Sequence, residues 1–144
     1  MNQNWHIETQ AVQAGYRPGN GEPRTLPLYQ STTYKYDDAQ SVADLFDLKS
    51  EGFFYTRLAN PTVDAFEKKM AALEGGVAAV AVSAGQTASM LAILNIARAG
   101  DHIVAVASLY GGTVSLFTNT FSKLGIEFTL SLIHISEPTR PISI

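Results

Sequence analysis

The sequence contains no cysteine, so neither a disulfide framework nor a thiolate metal site can exist in it. Its three histidines, His6, His102 and His134, are scattered, and no metal site is expected from them. No apolar run is long enough to span a bilayer; the best, residues 77–82, has the length of a strand. The opening MNQNWHIETQ lacks the basic region and apolar core of a secretory signal, so a cytoplasmic location is expected. Ten basic residues against thirteen acidic ones give a net charge of −3 with no basic stripe, which argues against a nucleic-acid partner. Neither GxxxxGK[ST] nor GxGxxG occurs, so the usual loops for nucleoside triphosphates and dinucleotides are excluded.

What remains is a folding composition: 144 residues, 46% hydrophobic and 16% charged, without internal repeats or low-complexity tracts. Residues 1–50 read as an arm. Residues 7–14 can form a short helix that Gly15 ends, RPGNGEPRTLP breaks every period, and residues 28–36 favour an extended chain. Asp38 can cap a helix through Phe46 with Val42, Leu45 and Phe46 on one side. Such an arm cannot bury itself and is expected to lie on a following domain or a second subunit. From Asn60 the pattern turns regular. Asn60 as N-cap and Pro61 at the first helical position start a helix, with Val63, Phe66, Met70 and Leu73 on one face, and Gly75 ends it. A buried strand at 77–83, a helix at 87–98 stopped by Gly100, a buried strand at 102–107, a helix at 112–124 and a strand from Ile126 follow. This alternation predicts an α/β fold built of βαβ units on a largely parallel sheet.

Three stretches carry the chemistry: YTRLANPT (55–62), SAGQTAS (83–89) and SLYGGT (108–113). Tyr55 and Arg57 stand two apart, where an extended backbone would turn both side chains to one face. They would offer a phenolic hydroxyl and a guanidinium fork to an anion. SAGQ and SLYGG follow the first two predicted strands, at the strand ends where open α/β sheets bind ligands. Gly85 lets the backbone approach closely, and the N–H groups of Gly85 and Gln86 would meet a phosphate at a helix N-terminus. Tyr110 could cover a planar ligand. Each of these has a plainer reading, as helix punctuation, a surface ion-pair partner or a half-buried tyrosine. The convergence of all three on one planar, phosphorylated ligand favours the functional reading.

ETQAVQAGY, LPLYQSTTY, YTRLANPT, SAGQTASM, AGDHIVAVASLYGGT and GIEFT occur in the order of the Cys/Met-metabolism family of pyridoxal-phosphate enzymes, which the chain resembles from Ile7 to Thr129. The resemblance implies pyridoxal 5'-phosphate as cofactor. It also implies a fold of α/β class: an extended N-terminal arm (1–50) contacting a partner subunit, then the incomplete start (51–129) of a three-layer α/β/α fold-type I large domain. By the same resemblance Tyr55 and Arg57 would bind the cofactor phosphate of a neighbouring subunit in a homo-oligomer, a dimer or tetramer. Gly85 and Gln86 would hold that group from their own chain, and Tyr110 would stack on the pyridine ring and assist departure of the leaving group. The implied reaction is γ-replacement: acetate leaves an O-acetylhomoserine-like amino acid, and sulfide or a thiol adds to give homocysteine. Gln86 stands where related lyases carry methionine, which favours the sulfhydrylase branch. Methionine γ-lyase and the cystathionine γ-synthase and γ-lyase branches remain open.

The family chemistry requires a Schiff-base lysine, and none of Lys35, Lys49, Lys68, Lys69 or Lys123 lies in the Ser-x-Thr-Lys type of context the family uses. The chain is therefore expected to be the first part of a longer enzyme, inactive alone, with exposed apolar surface. LSLIHISEPTR (130–140) is the in-frame translation of a transposon-end adapter used in sequencing libraries, so 130–144 is expected to be a non-native tail, and His134, Glu137 and Arg140 are left out of any site. Two readings from other classes compete. A non-catalytic phosphate-binding α/β module would use the Gly85 turn alone, and an interaction module would use only the apolar helices.

Overall fold

A computed structural model describes residues 5–132. The chain divides into two compact units, Met1–Ala81 and Val82–Ile144. Residues 133–144 of the segment read as a foreign tail lie outside the described residues.

The first unit is helical, with a long irregular arm. Helix α1, Ile7–Gln13, ends ahead of Gly15, whose φ of +90° lies in the left-handed region that favours glycine. Space binds Gly15 as well as conformation: a Cβ there would stand 2.1 Å from the Ala65 carbonyl oxygen. Helix α2, Ala39–Phe46, has the predicted Asp38 cap, whose Oδ1 accepts from the Ser41 N–H at 2.7 Å. Leu45 is buried, and the Phe46 ring lies 4.3 Å from that of Phe54.

Helix α3, Pro61–Glu74, has the predicted bounds, from the Asn60 cap to Gly75 in the left-handed conformation. Its buried face is not the predicted one. Ala65 and Ala71 are buried, whereas Val63 and Phe66 are 42% and 53% exposed. The contact of α3 with α1 explains the choice, since backbone lying as close as Gly15 admits only a small side chain such as that of Ala65. The arm at 28–36 is extended but forms no strand; a single antiparallel bridge joins Thr33 to Tyr55.

The strand predicted at 77–83 is absent. Strand structure requires a ladder partner, and the described residues supply none to this segment. Val77 is fully exposed, and the Ala81 N–H donates instead to Glu67 Oε1 at 2.7 Å.

Among its described residues the second unit is one βαβ motif preceded by a helix. Helix α4 spans Gly85–Leu94, starting earlier and ending sooner than predicted, and it turns Met90 and Ile93 to the core while Ile96, beyond its end, is exposed. Strands β1, His102–Val106, and β2, Glu127–Ser131, pair in parallel with His102 opposite Glu127 and Val106 opposite Ser131. β2 thus includes Leu130 and Ser131, the first two residues of the predicted tail. The predicted burial on both faces is not seen among the described residues. His102, Val104, Glu127 and Thr129 face outward, and Ile103, Ala105, Phe128 and Leu130 line the core, so among the described residues the sheet is covered on one face only.

The connection between the strands opens with helix α5, Gly111–Ser115, and widens into a π-helical segment, Leu116–Phe121, where the sequence predicts plain α-helix. Thr118 Oγ1 donates to the Val114 carbonyl at 2.9 Å and Ser122 Oγ to the Thr118 carbonyl at 2.8 Å. Hydroxyls bonding back one turn compete with backbone N–H groups and loosen the α-helical ladder there. Phe117, Phe121 and Ile126 are buried as the core of the unit, with Phe117 stacked on Phe128 at 4.3 Å.

Two outcomes follow from these contacts. Gly15→Ala forces either α1 or α3 to move and should destabilise the first unit by more than about 1 kcal/mol, read as a lower urea midpoint; an unchanged midpoint would show that the two helices are not tightly docked. The hydrogen bonds from Ser41 hold the Asp38 carboxyl below its ordinary value of 3.8. A folded-state pKa below the unfolded one means the cap stabilises fully above the unfolded value and is lost as pH falls through the folded one. Helicity of α2 should therefore drop below about pH 4, and Asp38→Asn, which keeps an acceptor without the charge, should remove that acid dependence in a chemical-shift titration.

Candidate functional site

In the first unit the predicted pair meets by a route other than the predicted one. The Tyr55 carbonyl accepts from the N–H groups of Leu58 at 2.9 Å and Ala59 at 3.0 Å, so residues 55–59 make a turn rather than an extended strand. The turn nevertheless brings the side chains together, with Arg57 Cζ 5.1 Å from the centre of the Tyr55 ring. Arg57 is exposed, and among the described residues its guanidinium has no carboxylate partner. The two border a cleft of about 440 Å³ with Thr33, Tyr34, Val42, Phe46, Phe54 and Leu58. A free cation over an aromatic ring at an apolar cleft suits an anionic ligand with an apolar body.

Asn60 holds this turn in place, a role that reading it as a helix cap does not reveal. It is the one buried polar residue among those described, 4% exposed. Its Oδ1 accepts from the Thr62 N–H at 2.9 Å, as a cap should. Its Nδ2 donates to the Tyr29 carbonyl at 2.9 Å and contacts the Tyr34 hydroxyl and Thr56 Oγ1, each at 3.1 Å. Thr56 Oγ1 donates on to the Ser31 carbonyl. Thr62 completes the tie, accepting from the Tyr29 N–H and donating to the Pro27 carbonyl, both at 2.9 Å. One carboxamide thus joins the start of α3, the Tyr55–Arg57 turn and the arm at 27–34. The signal in the sequence was the pairing of Asn with Thr on either side of Pro61, two polar side chains that can reach backbone outside the helix.

In the second unit Gly85 and Gln86 form the first turn of α4, which starts two residues ahead of the predicted helix. The N-cap is Ala84, which has no side-chain acceptor, so the first N–H groups of the helix have no cap from the chain. Nothing lies within 4 Å of where a Gly85 Cβ would stand, and the backbone is open to approach. Tyr110 precedes α5, three-quarters exposed, and its carbonyl accepts from the N–H groups of Thr113 at 2.8 Å and Val114 at 3.1 Å. The structure brings Gln86 and Tyr110 together around Gly112: a Cβ there would be 2.6 Å from Tyr110 Cε1 and 3.1 Å from Gln86 Nε2. Gln86 Nε2 donates to Thr113 Oγ1 at 3.3 Å, and its Oε1 is buried without a partner among the described residues. Such an orphan acceptor costs free energy until a donor meets it. Gly112 and Thr113 belong to SLYGGT, but the sequence by itself marks only Tyr110 of that stretch as a ligand contact.

The Asn60 tie makes a separable prediction. Asn60→Ala removes cap and cross-links together and should cost about 2 kcal/mol or more in urea unfolding. Asn60→Asp keeps the acceptor for the Thr62 N–H but loses both donors, so amide exchange at Thr56, whose N–H bonds the Thr32 carbonyl at 2.9 Å, should accelerate while α3 keeps its protection. Equal protection of Thr56 in Asn60→Asp would show that the arm is held by something else.

The family model described as Cys/Met metabolism PLP-dependent enzyme matches residues 8–138. O-acetyl-L-homoserine sulfhydrylase of Leptospira meyeri is 52% identical over 142 residues, 98% of this chain and 31% of that protein. The sulfhydrylase of the same description from Corynebacterium glutamicum is 49% identical, covering 96% of this chain and 31% of its own length. Among solved structures, a putative O-acetylhomoserine (thiol)-lyase of Campylobacter jejuni, which carries N'-pyridoxyl-lysine-5'-monophosphate, is similar with a TM-score of 0.81 and 33% identity over 91% of this chain and 31% of that one. Cystathionine gamma-lyase of Lactobacillus plantarum gives a TM-score of 0.73 at 27% identity, over 89% of this chain and 31% of that one. The chain therefore spans about a third of the length of these relatives and shares that portion of their fold-type I α/β structure. With the family model matching nearly its whole length, the chain belongs to the Cys/Met metabolism family of pyridoxal-phosphate-dependent enzymes.

Proposed function

We propose that the protein is the opening part of an enzyme that replaces the γ substituent of an O-acetylhomoserine-like amino acid with sulfide or a thiol, yielding homocysteine. The observation that carries the reading is the uncapped start of α4, open at Gly85, in the unit where Gln86 and Tyr110 meet. It fits a phosphorylated planar group: the helix end offers backbone N–H groups and the positive end of its dipole to a phosphate, and an exposed tyrosine ring offers a face to a heterocycle. Pyridoxal phosphate, when bound, supplies an electron sink for the amino acid's Cα substituents.

The chain's own residues supply the rest. Backbone N–H groups of Gly85 and Gln86 hold the phosphate. Arg57, without a carboxylate partner among the described residues and lying over Tyr55, adds charge-assisted hydrogen bonds, and the Tyr55 hydroxyl adds another; both are assigned to the phosphate of a neighbouring subunit. The Tyr110 ring covers the heterocycle, and its phenol moves a proton at the departing acetate. Support for sulfide or thiol as the second reactant comes from the sulfhydrylases that this chain resembles at about half identity.

The Schiff-base lysine is assigned to chain beyond these residues. Lys35, Lys49 and Lys68 are paired with Asp37, Asp47 and Asp64, and Lys69 Nζ lies 3.5 Å from the Val12 carbonyl. No helix among the described residues is long and apolar enough to cross a membrane.

In a chain carried to the length of its relatives, Arg57→Ala should weaken pyridoxal-phosphate binding about ten- to a hundredfold, the worth of hydrogen bonds to a charged group. Unchanged affinity would sink the phosphate role of Arg57 and favour a module that uses the Gly85 turn alone. Mixing Arg57→Ala subunits with Gly85→Asp subunits tests the sharing. If Arg57 is lent to a neighbour, mixed oligomers regain sites with both groups intact; if it serves its own subunit, they regain none.

A further inference from the structure

Gly112 has no conformational reason to be glycine, because its φ lies outside the left-handed region. It sits in the first turn of α5, where alanine would favour the helix over glycine. Its reason is space. The Tyr110 ring lies across its Cα, so that a Cβ would come 2.6 Å from Cε1, a distance at which something must move. The adjacent Gly111 has open space where a Cβ would be. Two neighbouring glycines in one helical turn are thus different in kind. One could be substituted freely, and the other is the floor on which an exposed aromatic ring rests.

We propose that Gly112 is a positioning residue that sets the plane of the Tyr110 ring, and with it the alignment of that ring over the bound heterocycle. The inference deepens the functional reading above and rests on it. Tyr110 is three-quarters exposed, so its ring can swing away at small cost to the fold. A methyl group at Gly112 therefore displaces the ring rather than unfolding the helix. The same methyl presses on Gln86 Nε2, but at 3.1 Å the contact is milder and an amide can shift by the few tenths of an ångström required. The consequence falls on ring placement first.

The test uses the cofactor-loaded protein at the length of its relatives, with pyridoxal 5'-phosphate as the probe. Four variants are compared, Gly112→Ala, Gly111→Ala, Tyr110→Ala and the double variant Gly112→Ala with Tyr110→Ala. Induced circular dichroism of the bound cofactor, its dissociation constant and the melting temperature of the apoprotein are read for each. Gly112→Ala is expected to melt no lower than wild type, to lose most of the induced signal, and to weaken binding about three- to tenfold, the range for an aromatic contact. Gly111→Ala should keep the wild-type signal and affinity, which shows that the turn tolerates alanine. In the Tyr110→Ala background the Gly112 change should do nothing further, since its effect passes through the ring.

If wild type binds no pyridoxal phosphate, the functional reading falls and takes this inference with it. If Tyr110→Ala loses the signal while Gly112→Ala keeps it, the reading stands and this inference alone is overturned. An equal Gly112 effect in both backgrounds also overturns it, because the effect then bypasses the ring. A Gly112→Ala apoprotein that melts well below wild type while Gly111→Ala does not would show that Gly112 serves the fold, and overturns it too.

Discussion

The buried carboxamide of Asn60 is the constraint on which the first unit depends. A segment of prolines, glycines and polar residues has no periodic apolar face to bury, so it stays in place only if its backbone finds partners. Asn60 and Thr62 supply them. Between them they engage the carbonyls of Pro27 and Tyr29 and the N–H of Tyr29. The same carboxamide meets Thr56 Oγ1, which fixes the turn that places Arg57 over Tyr55. A polar group this deeply buried is expensive to leave unsatisfied, so alternative placements of the turn are disfavoured by the full cost of stranding it. Local specificity here comes from a hydrogen-bond hub rather than from apolar packing.

The second unit reaches its order by the opposite means. Phe117, Phe121 and Ile126 form an apolar centre on which Phe128 stacks, and the βαβ crossover is pinned at its base by the Gly100 N–H bonding the Gly125 carbonyl at 2.8 Å. A core of interlocked aromatic rings fixes where the helix after Tyr110 sits, and therefore where Gly112 meets Gln86. The π-helical stretch belongs to this arrangement. It follows directly on α5, whose first turn holds Gly111 and Gly112, so the irregular backbone begins one turn from the candidate ligand site.

Much of this was legible in the sequence wherever one residue decides one local geometry. Asp38, Asn60 and Pro61 start their helices, and Gly75 stops one, because capping is settled within a single turn. Tyr110 lies between a strand and a helix, as the pattern puts it, whereas Gly85 and Gln86 open a helix that no strand precedes. What could not be read depends on partners remote in sequence. The buried face of α3 is decided by Gly15, some fifty residues earlier, and the link of Asn60 to Tyr29 spans 31 positions. Tyr55 and Arg57 share a side through a turn whose hydrogen bonds no periodicity announces. The spatial need for glycine at position 112 is invisible until the Tyr110 ring is seen above it.

The apolar segment at 77–83 is the place where sequence and structure diverge most, and the divergence is informative. A run of valine and alanine without polar alternation suits a strand covered on both faces, yet Val77 and Val80 are exposed here. The sheet of the second unit shows the same deficit: its outer face carries Val104, 60% exposed, beside the His102–Thr129 contact of 2.8 Å. Two-stranded parallel sheets with a bare face are rare because parallel ladders are stable chiefly when helices lie on both sides. Both segments therefore have the composition of a larger α/β sheet without the layers that such a composition is suited to meet. That is the condition expected of a stretch covering about a third of its relatives' length, and it gives the proposed subunit contacts and further chain a definite physical task, namely burying Val77, Val80 and Val104.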